Sequence, residues 1–122
     1  MLVDGERLVS CLAPAVQYQG REVATIEGLG TADALHPLQA AIVEHDGFQC
    51  GYCTPGQICS AVDMAREWRR GLPRVVTTDL TGRPELDHDE LRARMSGNLC
   101  RCGAYNGIVA AIGATVAAGG VR

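Results

Sequence analysis

The sequence predicts a mainly α-helical protein, a four-helix bundle with pseudo-two-fold symmetry that is preceded by a short β-segment. Three observations favour this fold. Apolar residues follow a helical period from residue 35 onward, and short β-branched runs occupy residues 1–30. An internal repeat joins a helix, a cysteine pair and a second helix in each half. Two such helix pairs packed back to back would bring both cysteine pairs to one end of the bundle.

Residues 1–30 have the pattern of short β-strands. Predicted strands at Leu2–Val3 and Leu8–Val9 flank Asp4–Gly5, a residue pair typical of a two-residue hairpin turn. A third predicted strand covers Val23–Ile26. Three strands this short do not bury a core of their own. The segment is therefore predicted to be the remnant of a larger sheet.

Capping residues set the predicted helix boundaries. The first helix begins at Pro37 and ends by Gly47, because proline suits a first turn and glycine a helix end. Thr54 is the predicted N-cap of the second helix. The third helix starts at Asp87, with Glu90 three residues later as in a capping box. The second and fourth helices are predicted at about residues 55–69 and 106–118, and residues 71–86 form an irregular connector.

Composition excludes two classes of partner. The chain has 122 residues, a net charge of −3 and 4% aromatic residues, so neither a basic footprint nor a base-stacking platform indicates a nucleic-acid partner. No apolar run approaches the roughly 20 residues that a membrane span requires. The N-terminus lacks the pattern of a secretory signal, so the sequence as given predicts a cytoplasmic protein.

Six cysteines in a chain of this length indicate metal or redox chemistry in a reducing compartment. Four of them form a C-x2-C pair, Cys50 and Cys53, and a C-x-C pair, Cys100 and Cys102. Four thiolates are the ligand set of a [2Fe–2S] cluster. A structural zinc site also accepts four cysteines, but zinc ribbons usually pair two C-x2-C knuckles at closer spacing. Cys59 is predicted to be a buried, inert thiol.

The cysteine motifs carry a resemblance to a known family. Phe48–Gln57 and Ser96–Cys102, together with His36–Gln39 and Thr25–Leu29, resemble the small iron–sulfur subunit of the xanthine oxidase family of molybdenum hydroxylases. The bacterial aldehyde oxidoreductase branch is the most similar. One departure is Cys102–Tyr105, which reads Cys-Gly-Ala-Tyr where the wider family more often has Cys-Thr-Gly-Tyr.

This resemblance implies a function and a set of site residues. Cys50, Cys53, Cys100 and Cys102 match the ligands of the helical-domain [2Fe–2S] cluster. Gln49 and Cys102 match positions that contact the molybdopterin held by a large subunit. Electrons would pass from molybdenum through this cluster towards FAD on a medium subunit. The chain would then be a non-catalytic electron-transfer subunit, inactive alone. A structural zinc-binding interaction module and a stand-alone redox protein remain the alternatives.

The N-terminal part departs from the family pattern. Cys11 matches the fourth cluster ligand of a plant-type ferredoxin-like (β-grasp) domain, whose other three cysteines have no counterpart here. The expected organisation is therefore a truncated C-terminal part of that domain at residues 1–30, followed by a helical [2Fe–2S]-binding domain at residues 31–122. Cys11 would be an orphan ligand of a missing second cluster. A longer N-terminus carrying a twin-arginine signal would make the protein periplasmic.

Overall fold

The computed structural model describes residues 1–121 and contains four α-helices after a small three-stranded sheet. The helices are α1, Pro37–Glu44; α2, Thr54–Arg69; α3, His88–Met95; and α4, Tyr105–Ala117. Short 3₁₀ turns lie at Ser10–Leu12, Ala15–Tyr18 and Ile26–Gly28. The predicted mainly α architecture with a preceding β-segment is confirmed. No helix within residues 1–121 is both long and apolar enough to cross a membrane.

The sheet consists of β1, Leu2–Val3; β2, Glu6–Arg7; and β3, Val23–Ala24, in the antiparallel order β2-β1-β3. Asp4 and Gly5 both have positive φ, +50° and +84°, as a tight hairpin turn requires. The predicted turn is correct, but the prediction of a strand at Leu8–Val9 is wrong. A two-residue turn pairs Val3 with Glu6 and Leu2 with Arg7, so the strand lies directly after the turn.

Helix starts differ from the predictions in two places. Thr54 is the first residue of α2 rather than its N-cap, and its hydroxyl has no hydrogen-bond partner within residues 1–121. The cap position belongs to Cys53. Asp87 caps α3 as predicted, since its side chain accepts a hydrogen bond from the Glu90 backbone N–H. The Glu90 carboxylate does not complete a capping box but binds Arg94, with which it is buried.

The core lies between the four helices. Helix α1 packs mainly against α4, and α2 contacts α3, α4 and strands β1 and β2. Residues from every helix meet in one cluster, which also takes in Leu2 of β1. The largest fully buried side chains are Leu38, Met64, Ile108, Ile112, Gln57, Val62 and Val121.

A network of charged side chains fastens the β-segment to the helices. The Arg7 guanidinium donates to Glu67 at 2.9 Å and to the Arg94 carbonyl at 2.8 Å. The Arg7 backbone N–H donates to Asp63 at 2.9 Å. Arg94, whose side chain is fully buried, donates to Glu90 at 2.6 Å. The network therefore joins β2, α2 and α3.

The connector, residues 71–86, contains neither helix nor strand but is held down at several points. The Trp68 indole N–H donates to the Pro84 carbonyl at 2.7 Å, and the Arg83 guanidinium lies 4.3 Å from the Trp68 ring centroid. The Thr77 hydroxyl donates to the Glu90 carboxylate at 3.1 Å. These contacts give the connector a defined path across α2 and α3.

Candidate metal centre

Both cysteine pairs lie in the links between consecutive helices. We call residues 45–53, between α1 and α2, the first cysteine loop, and residues 96–104, between α3 and α4, the second cysteine loop. Cys50 and Cys53 belong to the first, and Cys100 and Cys102 to the second. Each loop is short and anchored at both ends by a helix, so the thiols have little freedom to move apart.

The structure brings these thiols near each other in two pairs across the two loops. The Cys50 thiol lies close enough to that of Cys102 to lower the pKa of Cys50, and the Cys53 thiol lies close enough to that of Cys100 for each to affect the pKa of the other. Each pair joins one cysteine from either loop. Within residues 1–121 no three His, Cys, Asp or Glu side chains are grouped as ligands of one metal ion.

Backbone N–H groups stabilise the thiolate form of one cysteine in each loop. The Tyr52 N–H donates to Cys50 and is the main reason that the pKa of this thiol is lowered; the Cys102 thiol also contributes. The Ala104 N–H is the main reason for the lowered pKa of Cys100. Thiolates are the form that binds metals. N–H groups aimed at sulfur also tune the potential of an iron–sulfur cluster.

Two glycines shape these loops in the same way. Gly51, which follows Cys50, and Gly103, which follows Cys102, both have a φ of +74°. In this left-handed conformation the chain turns sharply beside the sulfur, and residues with a side chain rarely adopt it. The shared geometry means that Gly103 suits its position in the Cys-Gly-Ala-Tyr sequence of this chain.

The four thiols of the two cysteine loops differ in how deeply they are buried. The pKa of Cys53 is raised, chiefly by burial and then by its hydrogen bond to Cys100. Cys100 is buried, Cys102 half-buried and Cys50 exposed. The set thus spans the boundary between the core and the protein surface.

The remaining cysteines lie outside this arrangement. Cys59 is buried in α2 with 2% of its surface exposed, and burial raises its pKa, as expected of an inert thiol. Cys11 is exposed on the Ser10–Leu12 turn. Its assignment as an orphan ligand stays a prediction.

Two polar side chains that sequence analysis did not single out support the loops. The Tyr105 hydroxyl accepts a hydrogen bond from the Cys100 N–H at 2.8 Å. The Gln57 amide donates to the Asn98 carbonyl at 2.9 Å, and it also lies near Cys53. The only available signal was position, since Gln57 follows Cys53 by one helical turn.

An apolar rim surrounds the thiols on the protein surface. We use this name for Phe48, Tyr52, Leu99 and Tyr105, all of which are exposed and belong to or adjoin the cysteine loops. Tyr52 is 95% exposed and Leu99 80%. Gln49 is also exposed beside them. Exposed apolar side chains grouped around a site are typical of a surface that another protein covers.

The donor set fits an iron–sulfur cluster. Four cysteine sulfurs, N–H donors to sulfur and a position at the edge of the core are the features by which proteins hold and tune such clusters. Two thiol pairs, each drawn from both loops, match the two pairs of terminal ligands that a two-iron cluster needs. The arrangement can hold the cluster and expose one edge of it to a partner.

Known proteins show the same domain. Residues 25–113 match the family model of the [2Fe-2S] binding domain. The chain is 61% identical over 112 residues to the aldehyde oxidoreductase iron-sulfur-binding subunit PaoA of Escherichia coli, an alignment that covers 92% of this chain and 49% of that protein. It is 38% identical over 112 residues to the nicotine 6-hydroxylase small subunit of Paenarthrobacter nicotinovorans, covering 92% of this chain and 58% of the relative.

Solved structures agree with these relatives. Quinoline 2-oxidoreductase of Pseudomonas putida superposes with a TM-score of 0.72 at 34% identity, over 98% of this chain and 68% of that one. Aldehyde oxidoreductase of Desulfovibrio gigas gives a TM-score of 0.73 at 32% identity, over 97% of this chain and 12% of the other. The chain spans about half the length of its Escherichia coli relative. It belongs to the [2Fe–2S]-binding domain family, in the group of iron–sulfur subunits of the xanthine oxidase type that its cysteine motifs indicated.

Proposed function

We propose that Cys50, Cys53, Cys100 and Cys102 hold a [2Fe–2S] cluster through which this chain transfers electrons inside a molybdenum hydroxylase. The pairing of thiols across the two loops carries the proposal. It also suggests the ligand arrangement, with Cys50 and Cys102 on one iron and Cys53 and Cys100 on the other. A bound [2Fe–2S] cluster supplies storage for one electron at a time.

The proposed partners are a large subunit with molybdopterin and a medium subunit with FAD. The relatives named as aldehyde oxidoreductase and nicotine 6-hydroxylase subunits support this assignment. The apolar rim is a surface that the large subunit can cover. Gln49 and Cys102 are the residues that the family resemblance implies would contact the molybdopterin. The chain is then a non-catalytic component of the complex, and substrate oxidation takes place on the partner.

Two finer points of organisation belong to the same proposal. The helical part, residues 31–122, has pseudo-two-fold symmetry that exchanges α1 with α3 and α2 with α4. The α1–α4 and α2–α3 contacts support this, because such an axis would interchange them. Residues 1–30 correspond to the C-terminal part of a ferredoxin-like domain, in which Cys11 is at the position of a possible cluster ligand.

The first test measures metal content and the visible spectrum of anaerobically purified protein. We expect about two irons per chain, a brown colour and bleaching by dithionite. Replacing Cys100 or Cys50 by serine should abolish iron binding and colour. The matched control, Cys59→Ala, removes a buried thiol outside the set and should keep both. Loss of iron in Cys59→Ala but not in Cys100→Ser would contradict the proposed ligands.

The second candidate function is a structural zinc module, because zinc accepts the same four thiolates. It predicts about one zinc per chain, no iron and no colour. That result would overturn the electron-transfer proposal.

A further inference from the structure

Both peptide groups of Cys100 are held by hydrogen bonds inside the second cysteine loop. Its carbonyl accepts from the Gly103 N–H at 3.2 Å, which closes a turn in which Gly103 has a φ of +74°. Its N–H donates to the Tyr105 hydroxyl at 2.8 Å. The first bond belongs to the backbone turn, whereas the second depends on a side chain. The Tyr105 hydroxyl is therefore the part of this arrangement that a substitution can remove.

The burial of Cys100 makes its N–H dependent on that hydroxyl. Only 7% of the Cys100 surface is exposed, so water has little access as a replacement partner. A buried N–H without a partner costs free energy comparable to a lost hydrogen bond. The loop conformation that places the Cys100 N–H against Tyr105 is favoured by that amount.

Helix α4 fixes the position of the Tyr105 side chain. Tyr105 is the first residue of this helix, and its ring lines a cavity together with Met95 and Ile108. The hydrogen bond reaches back over five residues to Cys100 and encloses Cys102 within the segment that it closes. It thereby ties the C-x-C pair to the start of α4.

We propose that Tyr105 is a positioning residue of the metal centre: its hydroxyl holds the Cys100 peptide against α4 and so sets the orientation in which Cys100 and Cys102 present their sulfurs. The inference rests on the proposed function, since it assumes that these two cysteines are cluster ligands. The role belongs to the hydroxyl and not to the ring. Tyr105→Phe, which keeps the ring, therefore separates this role from packing alone.

The first test measures deuterium exchange of the Cys100 amide in the full chain, purified anaerobically with its metal. Mass spectrometry with fragmentation that resolves single amides gives the rate. We expect exchange to be about fivefold faster in Tyr105→Phe than in the wild type, because one hydrogen bond is lost. In the wild type the Cys100 amide should also exchange more slowly, relative to its intrinsic rate, than that of Leu99, which is 80% exposed.

The second test examines the cluster itself. The visible circular dichroism of an iron–sulfur cluster reports the asymmetry that its ligands impose, and it should change in Tyr105→Phe. Loss of iron to a chelator should be about fivefold faster, since the loop opens more readily without the hydrogen bond. A variant that had lost only packing would change neither, because phenylalanine fills the same space.

Tyr18→Phe is the matched control. It also removes one tyrosine hydroxyl, but Tyr18 lies in the Ala15–Tyr18 turn, outside both cysteine loops. Its amide exchange at Cys100, its circular dichroism and its rate of iron loss should equal those of the wild type. Wild-type values of all three in Tyr105→Phe, or equal changes in Tyr18→Phe, would overturn the inference.

Wild-type exchange decides the matter if Tyr105→Phe does not fold or does not retain its metal. A Cys100 amide that exchanges as fast as that of Leu99 would overturn the role of Tyr105, and a slower one would support it. These outcomes are separate from the proposed function. Wild-type protein that binds zinc and no iron would refute the proposed function, whereas a normal cluster with fast Cys100 exchange would refute only the role of Tyr105.

Discussion

The His36 side chain caps the N-terminus of helix α1. Its Nδ1 accepts a hydrogen bond from the Leu38 N–H at 3.2 Å, and the Gln39 side chain accepts from the His36 N–H at 2.8 Å. The two bonds form a capping box at α1. Burial lowers the pKa of His36, because it disfavours the charged ring. The neutral ring is also the form that can accept the hydrogen bond from Leu38.

This cap predicts a pH dependence of stability. The unfolded chain binds a proton to His36 at higher pH than the folded chain does, so the stabilisation is complete above about pH 6.5. It is lost as pH falls through the lower pKa of the folded state. We expect the free energy of unfolding of His36→Asn to fall less between pH 7.5 and 5 than that of the wild type, because asparagine caps a helix without titrating.

Urea denaturation at both pH values measures this difference. His88→Asn is the control, since His88 is exposed at the start of α3. The free energy of unfolding of His88→Asn should depend on pH as it does in the wild type. Equal pH dependence in His36→Asn and the wild type would show that His36 does not contribute.

Gly107 marks a close approach between α4 and the first cysteine loop. A Cβ atom there would lie 2.5 Å from the His45 carbonyl oxygen and 2.8 Å from that of Asp46. At Gly113, also inside α4, residues 1–121 place no atom within 4 Å of such a position apart from the neighbouring residues and backbone of the same helix. His45 is half-buried at this contact.

The two glycines form a matched pair for substitution. Gly107→Ala should lower the free energy of unfolding by about 1–3 kcal/mol, because the backbone of the first cysteine loop must move. Gly113→Ala should raise it by about 0.5–1 kcal/mol, because alanine favours the helix. Thermal or urea denaturation compares them. A stabilising Gly107→Ala would show that the helix and loop are not packed this closely.

The predictability of the site differs among its residues for a physical reason. The four cysteines could be proposed as ligands from the sequence because metal binding restricts both residue type and spacing. Gln57 and Tyr105 were not, because their roles depend on contacts with Asn98 and Cys100 in the second cysteine loop. Thr54 was predicted as an N-cap from residue preference alone, whereas α2 begins at Thr54 itself, one residue earlier than that cap implied.

At the scale of elements, the connector depends on a buried ion pair. Glu90 accepts from the buried Arg94 and from Thr77, and Arg94 also donates to the Leu72 carbonyl at 2.5 Å. Arg74 adds an ion pair with Glu67 at 2.5 Å. The pair Glu90–Arg94 therefore fixes α3 and the connector at the same time.

Removing one charge of this pair should be costly. Glu90→Gln keeps the shape of the side chain but leaves the Arg94 charge without its carboxylate, so we expect a loss of about 3–5 kcal/mol in the free energy of unfolding. Limited proteolysis should also cleave residues 71–86 faster. Glu85→Gln, at an exposed position of the connector, is the control and should change neither measurement. A stability loss below about 1 kcal/mol in Glu90→Gln would contradict this role.

Strand β2 is an element that the local sequence pattern does not predict. Leu8–Val9 has the β-branched, apolar composition of a strand, and Glu6–Arg7 does not. The tight turn nevertheless places Arg7 opposite Leu2, where its side chain reaches Glu67. The two-residue turn fixes this register. The contact of Arg7 with Glu67, by contrast, could not be read from local pattern, because its partner lies far away in the sequence.

At the scale of the whole molecule, the amount of exposed apolar surface predicts self-association. Several large apolar side chains are exposed outside the apolar rim as well: Leu12, Val16, Val75 and Leu80. Strands β2 and β3 are both sheet edges. Surface of this kind is usually covered in an assembly.

The isolated chain should therefore aggregate or express poorly. Size-exclusion chromatography with light scattering measures its oligomeric state, and a thermal scan measures its robustness. Co-expression with the large and medium subunits should yield a defined complex instead. A monodisperse, thermally robust monomer would count against the proposed interfaces.

The contact between thiols of the two loops has a consequence for the chain before it receives iron. Thiols that lie near each other in pairs can form disulfides, each releasing two protons and giving two electrons to an oxidant such as dioxygen. The pKa values of Cys50 and Cys100 are lowered, which favours the thiolate that is the nucleophile in this reaction. Oxidation by air would then link the two loops through disulfides, and iron could not bind until a reductant restored the thiols. The free thiols would therefore need protection from oxygen until the cluster is inserted.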